Sequence, residues 1–232
     1  MHYGRLAKAR DLIQLSVSAD QREGLNASAA ATQALATLWE AEYGELDLAR
    51  RNTSAVLATS AGRNAKIAAA LTWAELKGVS HAQTMVAELN QRFPDATLLN
   101  NIWLPTIRAK IALSRGDSAQ AINLLEAAIP YDLSQTPPLP SFYAGYVRGK
   151  AYLQAQRADA AAQEFQTILD HKGLLGASPV AAVARLGLAR ARALGGNTAA
   201  ARIAYQVFFA LWKDADPDLP LLKQAKAEYA QL

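Results

Sequence analysis

The sequence predicts an all-α protein of about five to six helix-turn-helix repeats, closed by a helix at its C-terminal end. Three observations carry this. Apolar residues recur at helical spacing through nearly all of the 232 residues. Strand patterns are missing, with no sustained two-residue alternation and no Asn-Gly or Asp-Gly hairpin. A small residue followed four places on by a bulkier one returns at Ala9, Ala49, Ala82, Ala121, Ala161 and Ala201, with separations of 40, 33, 39, 40 and 40.

Each of these alanines marks the second helix of a pair. Four residues on stand Ile13, Val86, Leu125, Phe165 and Tyr205, with Thr53 the polar exception. On the same face follow Val56, Leu89, Ala128, Ile168 and Phe208. The small residue admits the paired helix closely, and the bulky ones fill the groove between repeats. First helices are expected at roughly 25–43, 64–77, 97–115, 141–156 and 179–194. Gly44, Gly78, Gly116 and Gly195-Gly196 suit the left-handed conformation that ends a helix. Asp117-Ser118 and Asn197-Thr198 offer N-cap oxygens for the helix that follows. Pro94, Pro130 and Pro179 fall between repeats. The Pro-rich stretch 131–141 reads as an extended, flexible connection, but the spacing of 40 continues across it.

The whole chain therefore reads as one domain, 1–232, with a half repeat at 1–23 and repeats at 24–62, 63–95, 96–131, 139–173 and 178–214. A capping helix is expected at 218–232, with Leu222, Ala225, Tyr229 and Leu232 on one apolar stripe. Trp39, Trp73 and Trp212 read as core anchors. Of Phe208 and Phe209, one is expected in the core and the other against the capping helix. The chain opens in what matches a second helix, which points to the C-terminal piece of a longer protein and to an uncapped N-terminal end able to pair with a second copy.

Composition narrows the function. Hydrophobic residues make up 51% and charged residues 19%, and no apolar run approaches the ~20 residues that a membrane helix needs. The absence of cysteine excludes disulfides and thiolate chemistry and leaves the compartment open, cytoplasmic or periplasmic. The net charge of +4 is spread among 20 acids with no basic patch, so no nucleic-acid partner is expected. His2, His81 and His171 lie far apart, with no metal-ligand spacing. No GxSxG elbow or phosphate-binding loop is present, and neither a cofactor nor catalysis is expected.

One periodic feature stands out as a candidate site. Lys110, Lys150 and Arg190 lie 40 and 40 residues apart, at one register position of three successive first helices. Trp103 and Tyr143 stand seven residues before the first two, and Tyr146 one turn before Lys150. Together they form a candidate peptide-binding groove, in which cations beside aromatic platforms suit an extended peptide with acidic groups or a terminal carboxylate. The plainer alternative is solvated lysines and packed aromatics inherited by duplication.

These repeats resemble the tetratricopeptide family. The best match is GYVRGKAYLQAQRADAAAQEFQTIL, where Gly149, Tyr152, Ala161 and Phe165 follow the small–aromatic–small–aromatic pattern. Pro94 fits the closing proline. The resemblance covers nearly the whole chain and implies a right-handed α-α superhelix, a tetratricopeptide-like solenoid whose first helices line the concave face. Departures are the missing early Trp in most repeats and spacings near 40 where the family has ~34; HEAT-like repeats of ~40–47 residues are the fold-level alternative. The closing segment ARIAYQVFFALWKDADPDLPLLKQAKAEYAQL looks like the tail of repeat regions attached to acidobacterial-type serine/threonine protein kinases, and similar arms follow winged-helix regulators. No kinase motif stands in this chain. The resemblance implies a protein-interaction or docking arm of a larger signalling protein. The alternative is a sensing domain that binds a small solute or peptide in its concave groove. An apolar pocket would favour the second reading and an open groove the first.

Overall fold

A computed structural model describes residues 1–59, 62–135 and 137–232; parts of the expected 24–62 repeat and 131–141 stretch lie outside these. Among the described residues there are thirteen α-helices and no strand. Five serve as first helices: α2 (Asn26–Glu42), α4 (Arg63–Glu75), α6 (Leu104–Ser114), α8 (Tyr143–Gln154) and α11 (Pro179–Leu194). The second helices are α1 (Leu6–Arg22), α3 (Leu46–Thr59), α5 (Val79–Arg92), α7 (Ser118–Leu125), α9 (Ala158–Asp170) and α12 (Thr198–Leu211). A short α10 (Lys172–Leu175) and the closing α13 (Pro220–Ala230) complete the set. Each first helix packs on its own second helix, and the first helices form a row in which α2 meets α4, α4 meets α6, α6 meets α8 and α8 meets α11.

The register alanines Ala49, Ala82, Ala121, Ala161 and Ala201 are fully buried. Phe165 shows why small residues recur opposite them. A Cβ added at Gly149 of α8 would lie 2.6 Å from its ring, and one at Gly187 of α11 only 2.5 Å away. The phenyl ring is thus wedged between two first helices, and only glycine admits it on both sides. Trp39, Trp73, Trp103 and Trp212 are all buried, Phe208 lies in the core, and Phe209 meets Tyr229 of α13 at 5.6 Å between ring centroids.

Local chemistry explains most boundaries. The Asp117 side chain accepts from the Gln120 N–H at 2.9 Å and that of Asn197 from the Ala200 N–H at 3.0 Å, capping α7 and α12. Gly44, Gly116 and Gly196 take positive φ as expected; Gly78 does not. There Lys77 takes the left-handed conformation instead, and Gly78 lies so close to Trp73 that a Cβ would approach it to 2.6 Å. The expected first helix at 97–115 divides into a π-helical turn, Leu99–Trp103, and α6. Pro105 has no N–H to give the carbonyl four residues back, so the ladder shifts in front of it.

Two expectations need correction. The 131–141 stretch is not a loose connection: Leu139 is buried, Ser141 Oγ donates to the Ser134 carbonyl at 3.0 Å, and Trp103 Nε1 donates to the Pro137 carbonyl at 3.2 Å. Nor are residues 1–5 left uncovered. The Asp216 N–H donates to the Gly4 carbonyl at 3.0 Å, Trp212 Nε1 to the His2 carbonyl at 3.0 Å and the Leu221 N–H to the Tyr43 carbonyl at 3.1 Å. Tyr43 and Trp212 meet edge to face at 5.1 Å. Leu219 and Leu221 are apolar enough to bury here, so the closing segment covers the start of the chain as well as α11 and α12.

Candidate functional site

Two features are candidates, a charged cluster among the first helices and an apolar cleft beside α1 and α2. The cluster is built from two register positions, one helical turn apart, on successive first helices. Glu42 ends α2, Glu75 ends α4, and Lys110, Lys150 and Arg190 come from α6, α8 and α11. Because the row curves until α8 faces α2, Glu42 meets cations 68 and 108 residues away.

Its two oxygens are fully engaged. Oε1 accepts from Lys110 Nζ at 2.5 Å and Tyr143 Oη at 2.8 Å; Oε2 accepts from Tyr146 Oη at 3.0 Å and Lys150 Nζ at 3.2 Å. Glu75 closes the other side, 2.6 Å from Lys110 Nζ and 3.1 Å from Lys150 Nζ. Burial alone would raise the Glu42 carboxyl, but the two ammonium groups overcome it and hold the acid well below the usual carboxylate range. Burial likewise opposes charge on Lys110 and Lys150, and the carboxylates outweigh it and keep both above the ordinary lysine value. Burial first, and then the Glu42 charge, push the Tyr143 and Tyr146 hydroxyls up. Every one of these shifts locks a group in its neutral-pH protonation state, the reverse of what a general acid or base needs.

Of the six residues expected to line a peptide groove, Lys110, Tyr143, Tyr146 and Lys150 come together around Glu42 and Glu75, Arg190 pairs with Glu228, and Trp103 instead gives its Nε1 to the Pro137 carbonyl. Trp103, Lys110, Tyr143 and Tyr146 are buried. Lys150 and Arg190 keep 30% and 28% of their side chains exposed, and Arg190 makes a bidentate pair with Glu228 of α13 at 2.9 and 3.0 Å. Lys110, Lys150 and Arg190 share a cleft of about 450 Å³ with Glu75 and Lys77, yet the first three point their charges at acids. An acidic peptide would have to displace bonds already made. Glu42, Glu75 and Glu228 were the missing half of this pattern. The first two stand 33 residues apart, one helical turn nearer the helix end than the position that Lys110, Lys150 and Arg190 share.

A second tie lies on the other side of α8. The buried Arg148 holds Glu164 at 2.5 and 2.8 Å and Asp132 at 2.6 Å, fixing the end of the 3₁₀ turn Glu126–Tyr131 to α8 and α9.

The apolar cleft has a volume of about 690 Å³. Ala9, Leu12 and Ile13 of α1 form one wall, and Thr32, Leu35, Ala36 and Trp39 of α2 the next. Opposite stand the strap 137–141, Leu174 of α10 and the start of α11 at Ser178-Pro179. Among the described residues no charged side chain lines it. Two of its few hydroxyls are spent: Ser141 Oγ on the Ser134 carbonyl and Ser178 Oγ on the Val180 N–H at 3.2 Å. Its volume is in the range of small-molecule sites, about 300–1,000 Å³. Sequence reasoning missed this cleft because its walls come from residues 9–13, 32–39 and 137–179, which no repeat register links.

The histidines belong to neither feature: His81 stacks on Trp73 at 4.3 Å, and the His2 and His171 rings bond the Ser178 and Thr167 carbonyls at 2.7 and 2.8 Å. No helix among the described residues is long and apolar enough to cross a membrane. Compared with protein-family models, curated proteins and solved structures, the chain has no match, so its function has to be read from these side chains.

Proposed function

We propose that this chain is a non-catalytic binding module whose ligand occupies the apolar cleft between α1, α2 and the 137–141 strap. The observation that carries the reading is a cavity of about 690 Å³ walled by Leu12, Ile13, Leu35, Trp39, Leu139 and Leu174, on a chain whose charged cluster is already internally neutralised. Burying apolar ligand surface there gains about 25 cal/mol per Å² before ordering costs. Buried ion pairs tie α2 to α6 and α8 beside the cleft, and among the described residues its lining offers no charged side chain; Met1, whose half-buried amino group is pushed by burial below its ordinary value, also lines it. Of the two readings the sequence left open, this favours a domain that takes a solute or peptide over an open ladder for acidic chains.

In this proposal the helix pairs form one right-handed superhelix of tetratricopeptide type, with five to six repeats and α13 as its cap. The recurring helix pairs and the glycines on both sides of Phe165 support it. As an arm of a larger signalling protein, the module would report occupancy through the helices on which the ligand rests.

Titration with anilinonaphthalene sulfonate, an anionic dye whose aromatic rings brighten in apolar surroundings, tests the reading. Saturable emission gain is expected, and Leu35→Glu, which puts a charge on the cleft wall, should weaken it at least about tenfold. Equal binding by both proteins, or none by either, would remove the support.

A further inference from the structure

Arg108 of α6 and Arg148 of α8 stand 40 residues apart, the interval that also separates Lys110 from Lys150, so the two hold one register position in successive first helices. Their surroundings differ. Arg148 is buried and neutralised: its Nε and Nη2 donate to Glu164 of α9, and Nη2 donates to Asp132 as well. Glu164 stands three residues after Ala161, and Asp132 eleven after Ala121. One repeat earlier those places, three after Ala121 and eleven after Ala82, hold Leu124 and Phe93. Arg108 keeps the position and has neither acid.

A groove of about 410 Å³ surrounds it, between α5 and α7 and over α6. Arg108, Ile111, Ala112 and Arg115 line it with spacing i, i+3, i+4, i+7, a stripe of α6 outside which Lys110 falls. Arg108 and Arg115 are exposed, and among the described residues neither makes an ion pair or a side-chain hydrogen bond. Among the described residues no acid lines the groove. Buried Val86 and Ile111 give it apolar contacts, and Gln83, Asn90 and Gln120 bring side-chain amides. Two unpaired guanidinium forks on one stripe attract carboxylates, which such a fork grips with two parallel bonds. Arg148 shows that choice at the same register position, where carboxylates reach it from two sides. Amides able to bond a main chain, beside apolar contacts, suit a peptide as the carrier of those carboxylates.

We propose that the groove between α5 and α7 binds an acidic segment of a partner protein, whose carboxylates give Arg108 what Glu164 and Asp132 give Arg148. Along α6, Arg108 and Arg115 are about 10 Å apart. An extended chain covers that distance in about three residues, so acids three or four apart in the partner reach both arginines.

The test measures fluorescence anisotropy with the full chain at low salt, where exposed pairs are least screened. The probe is the fluorescein-labelled octapeptide ELAEELAE, and QLAQQLAQ is its uncharged control. Expected is saturable binding of the acidic peptide, at least about tenfold tighter than the control. Arg108→Gln and Arg115→Gln should each weaken it about fivefold. Arg51→Gln, which removes an exposed cation outside the groove, should leave it unchanged. Leu124→Glu supplies the acid that the next repeat has, so it should occupy Arg108 from within and weaken the peptide about fivefold too. Both arginines are exposed, so their variants stay folded, as far-UV circular dichroism will show. Equal affinity for the two peptides, or no greater loss in Arg108→Gln than in Arg51→Gln, would overturn the proposal. So would unchanged affinity in Leu124→Glu. Tighter binding of a labelled eight-nucleotide oligothymidylate, lost in Arg108→Gln, would make the groove a nucleic-acid surface and overturn it as well.

Discussion

Replacing Glu42 by Gln tests whether the charged cluster holds the molecule together. The carboxylate is buried to within 1% and accepts from two ammonium and two phenol groups. Removing one partner of a buried pair costs about 3–5 kcal/mol, because the remaining charge is left without compensation. Here Glu75 still stands 2.6 Å from Lys110 and 3.1 Å from Lys150, so the lower end applies, about 3 kcal/mol. For a chain of this length that lowers the melting temperature by about 6–12 °C. Urea unfolding followed by far-UV circular dichroism measures the loss, with an unchanged denaturant slope showing that the folded state stays compact. Adding Lys110→Met to Glu42→Gln removes the stranded charge, so the double variant should be less destabilised than the sum of the two single ones. A loss below about 1 kcal/mol in the single variant, or strict additivity in the double, would show that the cluster is solvated and refute the reasoning.

The same cluster sets a pH window. The Glu42 carboxyl is held below its ordinary value when folded, so its contribution is present above about pH 4.3 and drains away as pH falls below that. The lysines are held above theirs, so their contribution is present below about pH 10.4 and is lost as pH rises beyond it. Urea midpoints measured against pH should therefore form a plateau between these limits, and Glu42→Gln should flatten the acid limb. Gly187→Ala places a methyl group 2.5 Å from Phe165 and should cost about 1–3 kcal/mol, with Phe165→Leu in the same chain restoring part of it; equal stability with and without Phe165→Leu would rule out the clash. Trp212→Ala opens the contact with Tyr43 and His2 and should cost about 3–5 kcal/mol, with amide exchange at Leu221 rising as its bond to Tyr43 loosens.

What could be read from the sequence was whatever repeats. The first helix expected at 179–194 is α11 to the residue, and the one at 25–43 is α2 to within one residue at each end. Those faces are fixed by local periodicity and by alanines that a neighbour must approach. Lys110, Lys150 and Arg190 were legible for the same reason. Their neutralisation was not, because it depends on how far the row curves, a sum of small rotations that no single repeat encodes. Glu42 ends α2 and finds its phenol and lysine partners on α8 only in the folded chain. Leu139 looked like part of a flexible connection because proline breaks periodicity whether a segment is packed or loose, and only Trp103 and Ser134 decide which.

The contacts that join Gly4 to Asp216 and Tyr43 to Leu221 also change how this molecule must come apart. An open array of repeats frays from its ends, and its free energy is close to a sum over neighbours. In this chain the outermost elements touch, so neither end can peel away without first breaking bonds between residues about 200 positions apart. Long-range closure of that kind raises contact order, slows folding and makes loss of one repeat felt by all the others. The module should behave as a single cooperative body, in which a ligand that steadies α1 and α2 steadies α12 and α13 as well.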